Sequence, residues 1–301
     1  MNDKVLRSPF FYVGDKYKLV PQLQKFFPKH IDTYVEPFVG GGSVFLNTKA
    51  RRYILNDIDQ YVIELHLLLS SYAGRSDKLL SKLFKTIDRY GLSCSFRNKT
   101  VPKDLKVLYP KTYYSHYNKD SYNQLKADYN SNHDLHLLYI LLIYGFNHMI
   151  RFNSSGVFNL PVGNVDFNKN VYHALCNYLN FIVEKEIKFY NLDFEEFLDT
   201  IDKNSFVYLD PPYLISGSEY NKFWSNDEEI RLCNCLDDLN RAGTIFGVTN
   251  LVRHKGQINE LFLNWSKKYT GHDICSNYIS FNDNTIKTDS REVLVTNYGE
   301  Q

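Results

Sequence analysis

Ser205-Phe206-Val207-Tyr208-Leu209-Asp210-Pro211-Pro212-Tyr213 decides how this chain is read. The apolar run 205–209 has the length and composition of a buried strand, and it stops at an acid followed by two prolines. In open α/β sheets the carboxyl ends of the strands face the ligand crevice. An acid, a stiff Pro-Pro step and an aromatic ring at that place suit one kind of chemistry, in which a flat, amine-bearing base is held against an electrophile. The exocyclic amine of adenine is a weak nucleophile, because its lone pair is delocalised into the ring. Asp210 can accept one amine hydrogen and the Pro211 carbonyl the other, with the proline rings fixing φ and so the carbonyl's direction. Pro212 completes the rigid step, and Tyr213 can stack on the base. Acceptors set in place beforehand cost no reorganisation at the moment of reaction. The plainer alternative is a turn that merely ends the strand.

Working outward, Thr33 to Phe38 reads as a strand, Ser43 as the cap of a helix running to about Lys49, and Tyr53 to Asp57 as a second strand. Gln60 to Ser70 reads as the next helix. From Tyr72 to Tyr178 polar and helical segments dominate, with an apolar core helix around Leu137 to Phe146. Strand patterns return at Ile187 to Tyr190, Gly243 to Thr249 and Glu292 to Tyr298. This predicts an α/β fold: a doubly wound sheet in a catalytic domain of 1–71 with 185–301, interrupted by an inserted domain of 72–184.

The 301 residues, 44% of them apolar, suffice for a sizeable core. A net charge of +1 gives no global pull toward nucleic acid, so DNA binding needs a local basic face such as Arg97, Lys99, Lys103, Lys106 and Lys111. Five cysteines without a C-x-x-C pair predict no disulfide framework and no metal, as expected in a reducing cytoplasm. Neither a signal peptide nor a membrane span is expected.

Phe38-Val39-Gly40-Gly41-Gly42-Ser43 lets backbone approach a ligand, although it is not G-x-G-x-x-G. Asp57, at the end of the second strand, can accept both hydroxyls of a ribose. Glu36 and Asp193 are further strand-end acids, and Phe194 can lie on an adenine ring; Asp193 also reads as a helix cap. A ribose-and-adenine ligand without a phosphate loop points to S-adenosylmethionine. Tyr12-Val13-Gly14-Asp15-Lys16 adds an aromatic, a glycine and a lysine that can approach the substrate base or the methionine carboxylate.

With these residues in hand, the chain resembles the Dam family of α-type DNA adenine methyltransferases. Glu36 to Ser43 resembles the family's cofactor motif, and Asp210 to Tyr213 its catalytic motif. Tyr144-Gly145-Phe146-Asn147-His148-Met149-Ile150-Arg151-Phe152-Asn153 resembles its DNA-recognition hairpin. The stretch 206–268 is especially similar to the T-even phage branch. The resemblance implies a class I S-adenosylmethionine-dependent methyltransferase, with a Rossmann-like seven-stranded sheet and a mainly helical insert carrying a β-hairpin. It implies methyl transfer to adenine N6 of a flipped base in double-stranded DNA, within GATC, leaving S-adenosylhomocysteine. It places Tyr12, Gly14, Lys16, Glu36, Phe38, Gly40, Gly41, Asp57, Asp193, Phe194 and Asp210 on the cofactor side. It places Lys16 and Asp210 to Tyr213 on the catalytic side, and Phe146, Asn147, Met149, Arg151, Asn153, Pro161 and Tyr220 on DNA. A monomer acting in the cytoplasm is expected. Asn147-His148 departs from Ser-Asn of the phage pattern, which bears on sequence preference. Val248-Thr249-Asn250 departs from Gln-Ser-Asn, which leaves the chemistry intact. The rivals are a cytosine-N4 or RNA-base methyltransferase, and a catalytically silent DNA-binding regulator.

Overall fold

The computed structural model describes residues 5–216, 223–275 and 290–299. Among them, eight strands form one sheet: β1 Thr33–Glu36, β2 Arg52–Asn56, β3 Glu186–Tyr190, β4 Phe206–Leu209, β5 Ile245–His254, β6 Gln257–Ile258, β7 Thr270–Ile274 and β8 Arg291–Thr296. Their order is β3-β2-β1-β4-β5-β8-β7, with β6 folded back on β5. Strands β1 to β5 are parallel, while β8 runs antiparallel between β5 and β7. The path of seven is the one the methyltransferase resemblance implies; the two-residue β6 is an addition to it.

The apolar run that leads into Asp210 is β4, buried along its whole length. Parallel strands covered on both faces read as continuous apolar runs, not as alternation. Val207 and Leu209 pack with Val35, Phe246 and Val248 under the helices Phe194–Leu198, Asn226–Arg241 and Glu260–Ser266. Phe206 and Tyr208 point the other way, with ring centroids 4.9 and 5.3 Å from Phe27. The chain builds β1, β2 and β3 in one direction and then places β4 on the far side of β1. That reversal opens a crevice at the carboxyl ends of β1 and β4, where Glu36 and Asp210 stand.

Two local expectations change. Strand β1 stops at Glu36, because Pro37 has no N–H to continue the ladder. The helix expected from Ser43 to Lys49 is only a 3₁₀ turn, Phe45–Asn47. The Tyr53 hydroxyl donates to the Thr48 carbonyl at 2.7 Å and accepts the Ala50 N–H at 3.0 Å. The Arg51 and Arg52 amides then bond to the Asp32 carbonyl at 3.1 and 3.0 Å, drawing the chain straight into β2.

The helix Gln60–Ser70 forms as read; the apolar helix expected around Leu137 to Phe146 spans Leu135–Tyr144, buried from Leu137 on, and leaves Phe146 outside it. The chain divides into two compact units. One gathers residues 1–15, 40–46 and 60–184; the other gathers 16–39, 47–59 and 185–301 and carries the whole sheet. No helix among the described residues is long and apolar enough to cross a membrane.

Candidate active site

In the sheet unit, Asp210 leaves β4 at the crevice and meets three donors. Lys16 Nζ lies 2.8 Å, Thr249 Oγ1 2.9 Å and the Tyr213 hydroxyl 3.0 Å from its Oδ1. Among the described residues every hydrogen bond to this carboxylate falls on Oδ1, so Oδ2 is the oxygen offered outward. The donors are themselves fixed. The Thr249 hydroxyl gives its hydrogen to an acceptor, so the neighbouring Tyr208 hydroxyl, 3.1 Å away, donates to Thr249. Burial first, then Asp210, with Glu36 and Glu292 behind, pushes the Tyr208 phenol well above its usual range. Lys16 is buried and rides 4.8 Å above the Tyr213 ring, whose hydroxyl also reaches Glu292 Oε1 at 2.7 Å. Pro211 is buried behind Asp210 and Pro212 is half-buried.

The strand ends beside this corner are tied together by Asn56, a buried residue at the end of β2. Its Nδ2 donates to the Pro37 and Leu192 carbonyls at 3.1 and 3.0 Å, and its Oδ1 accepts the Leu192 N–H at 2.9 Å. One amide therefore sets the spacing of the chain after β1, β2 and β3. Glu36 is buried and accepts from the Tyr34 hydroxyl at 3.0 Å. The Asp57 carboxylate accepts the Asp59 amide at 2.9 Å. Asp193 caps the helix Phe194–Leu198, as the cap reading expects, and also pairs with Arg231 at 2.6 Å. Phe38, Phe194 and Trp224 form an aromatic cluster with centroids 5.4 to 5.8 Å apart. Trp224 is aimed by Glu229, which accepts its indole N–H at 2.6 Å and the amides of Asn250 and Asn259 at 2.8 Å each.

This donor set fits a cationic, ring-bearing ligand. Glu36, Asp210 and Glu292 are three carboxylates sensed by one tyrosine, and Lys16 is the ammonium paired with Asp210 and Glu292. A flat ring suits the aromatic cluster, and a sulfonium suits the surplus of negative charge.

In the other unit, Tyr12 and the glycine run pack together. A Cβ on Gly41 would stand 2.9 Å from the Tyr12 Cβ, so the chain passes too close for a side chain. The Gly40 carbonyl accepts from His66 Nε2 at 2.9 Å, and His66 Nδ1 meets the Tyr178 hydroxyl at 2.8 Å. A carbonyl can only accept, which fixes the Nε2–H tautomer and makes Tyr178 the donor. Burial lowers the His66 pKa to about 4, keeping the ring neutral. Gly14 lies on an exposed left-handed turn at φ +83°.

The segment 144–163, which includes the stretch that resembles a DNA-recognition hairpin, is an irregular hairpin. Isolated bridges join Gly145 to Val162 and Phe152 to Phe158, without a continuous ladder. Asn147 and His148, at φ +53° and +51°, turn the chain out of β geometry between them. A Cβ on Gly163 would stand 2.6 Å from the Gly145 carbonyl oxygen, so glycine lets the two legs touch. Phe146 is 52% exposed at the tip of this turn, a large apolar ring presented to solvent. Asn147, Asn153 and Pro161 are exposed, and Met149 is half-buried. Arg151 is held by Asn159, whose Oδ1 accepts Nε at 2.8 Å and whose carbonyl accepts Nη2 at 3.0 Å. That clamp uses the Nε side of the guanidinium and presents the Nη1–Nη2 edge. In the basic stretch, Arg97 and Lys99 are paired with Asp88 at 2.7 and 3.6 Å. Tyr220 lies outside the described residues.

Residue-type reasoning passed over Asn56, His66, Asn159, Glu229 and Glu292. Buried polar residues inside apolar runs were the available signal for Asn56, His66 and Glu292. Thr249 stood out only as a departure; its hydroxyl keeps the place a serine hydroxyl would fill.

Residues 12–282 match the family described as D12 class N6 adenine-specific DNA methyltransferase. Over 97% of its length the chain is 34% identical to the type II methyltransferase M.FokI of Planomicrobium okeanokoites, covering 43% of that protein. It is 33% identical over 98% of its length to the modification methylase StsI of Streptococcus sanguinis, again covering 43%. A DNA adenine methylase of Salmonella typhi is 30% identical over 67% of this chain and 63% of its own length. The chain thus spans less than half the length of the first two relatives. Together they support the class as a whole, not the T-even phage branch in particular.

Proposed function

Because the chain belongs to the D12 class of N6 adenine-specific DNA methyltransferases, we propose that it methylates adenine N6 in double-stranded DNA. The observation that carries this reading is the one-sided Asp210 carboxylate, with Oδ1 saturated by Lys16, Thr249 and Tyr213. Oδ2 then accepts one hydrogen of the adenine amine, and the Pro211 carbonyl accepts the other. Withdrawing both hydrogens returns lone-pair density to nitrogen, and Oδ2 takes up the proton released on transfer. S-adenosylmethionine, when bound, supplies an electrophilic methyl on a sulfonium and leaves as S-adenosylhomocysteine. Glu36, Phe38, Asp57, Asp193, Phe194, Tyr12, Gly14, Gly40 and Gly41 are the residues assigned to it. Lys16 neutralises part of the acidic corner and orients Asp210. No metal is assigned a part.

DNA recognition is assigned to the insert 72–184 and chemistry to 1–71 with 185–301. Extruding a base costs a few kcal/mol. Phe146 is assigned to fill the gap, since an apolar wedge offsets unstacking. Arg151, aimed by Asn159, reads a guanine through O6 and N7. Asn147, Met149, Asn153 and Pro161 are assigned to the same interface, and Tyr220 is assigned to DNA on the resemblance alone. GATC is the proposed site, and a monomer in the cytoplasm the proposed form.

The test is to treat RNA, and DNA duplexes that contain or lack GATC, with S-adenosylmethionine and the protein, digest each to nucleosides and weigh them. N6-methyladenine confined to GATC is expected. N4-methylcytosine, or methylated RNA in place of DNA, would hand the case to the rival methyltransferases; no transfer at all would leave the silent regulator.

A further inference from the structure

Strand β8 carries one acid in an otherwise apolar buried run, Glu292, fully buried ahead of Val293, Leu294 and Val295. Burying a carboxylate is costly even when it is paired, and an aliphatic residue would fill a strand position at no such cost. Two of the groups around Glu292 also serve Asp210. Its Oε1 lies 2.7 Å from the Tyr213 hydroxyl, which is also 3.0 Å from Asp210 Oδ1 and owns a single hydrogen. Lys16 Nζ is 3.8 Å from Glu292 and 2.8 Å from Asp210. Two carboxylates therefore share one phenolic hydrogen and one ammonium, and the trio of Lys16, Asp210 and Glu292 carries a surplus negative charge inside the fold. Breaking a local rule at the cost of burial is what functional sites do.

We infer that Glu292 is a positioning residue that holds Tyr213 and Lys16 against Asp210. By its charge it also makes the pocket prefer a sulfonium over the neutral thioether product. The inference rests on the proposed methyltransferase reading. A low-dielectric corner with a net negative charge attracts a cation, and S-adenosylmethionine carries one at sulfur where S-adenosylhomocysteine does not. Such a bias favours loading of the donor and release of the spent cofactor.

Glu292→Gln keeps the shape and removes the charge. Calorimetry of the intact protein with S-adenosylmethionine, sinefungin (cationic, unreactive) and S-adenosylhomocysteine reads the effect without turnover. Expected is a loss of about tenfold for the two cationic ligands relative to S-adenosylhomocysteine, whose affinity holds. Glu292→Asp, which keeps the charge, should restore most of the ratio. An unchanged ratio in Glu292→Gln overturns the inference. If that variant does not fold, Tyr213→Phe decides. It removes the shared hydrogen but neither carboxylate, so the ratio must hold or rise, and a fall overturns the charge account. Failure of the unaltered protein to bind any of the three would instead strike at the methyltransferase reading.

Discussion

Asp210 is gripped by three donors at the carboxyl end of the interior strand β4, whereas Arg151 is gripped by one asparagine on a half-exposed hairpin. At the first, each donor has its own fixed partner: Tyr208 behind Thr249, Glu292 behind Tyr213 and Lys16. At the second, two isolated bridges and two left-handed residues set the backbone. The difference fits the roles proposed for the two places. A reacting centre loses rate when its acceptors reorganise, so it is over-determined. A DNA-reading surface must meet its partner in solvent, and each base contact adds a modest, separable increment.

That contrast can be broken by experiment, most sharply at Asp210. Asp210→Ala should lower turnover by roughly 10³-fold while cofactor affinity stays within a few-fold, read by labelled-methyl transfer beside calorimetry. Near-normal methylation would show that the buried network serves packing alone.

Next in size is acid stability. His66 is pulled in the folded state to about 4, below its unfolded 6.5, so between these values the unfolded chain binds the extra proton. Stability is therefore full above that window and falls as pH drops through it, by roughly 3 kcal/mol at most. Urea unfolding at stepped pH should show this slope, and His66→Gln should flatten it. An unchanged slope in the variant would assign the acid sensitivity elsewhere.

Arg151→Ala should cost about 1–3 kcal/mol of discrimination at one base position with the pocket still active. A panel of single-base variant duplexes reads this, and uniform loss at all positions would make Arg151 a phosphate contact instead. The smallest effect is expected at Thr249. Thr249→Val should cost about 1–1.5 kcal/mol in kcat, because Asp210 keeps two of its three donors, and Thr249→Ser should recover it. Equal loss in the serine variant would point to the lost methyl group and its packing.

Much of the fold was legible because its signals are local. A buried strand ending in Asp-Pro-Pro, a glycine run after β1 and an apolar helix around 137–146 can each be recognised within a dozen residues, the helix to within two residues at either end. The helix expected from Ser43 fails for the opposite reason: the groups that stop it, Tyr53 and the Asp32 carbonyl, come from outside the segment. The candidate site divides the same way. Asp210 and Tyr213 announce themselves by their motif, while Glu292 stands 79 positions from Tyr213, and only strand pairing brings them together. The hairpin was visible as a motif, but not the Asn159 clamp, since nothing in an isolated asparagine says which arginine it will face.

By itself the sequence determined which chemistry the chain can attempt. An acid, a fixed carbonyl and a ring follow one another along four residues, and neighbours in sequence are neighbours in space whatever the fold. Tertiary structure alone decided which oxygen of Asp210 faces outward, through Lys16, Thr249 and a hydroxyl shared with Glu292. Hydrogen-bond direction depends on ångström distances between distant segments, and no local pattern encodes those.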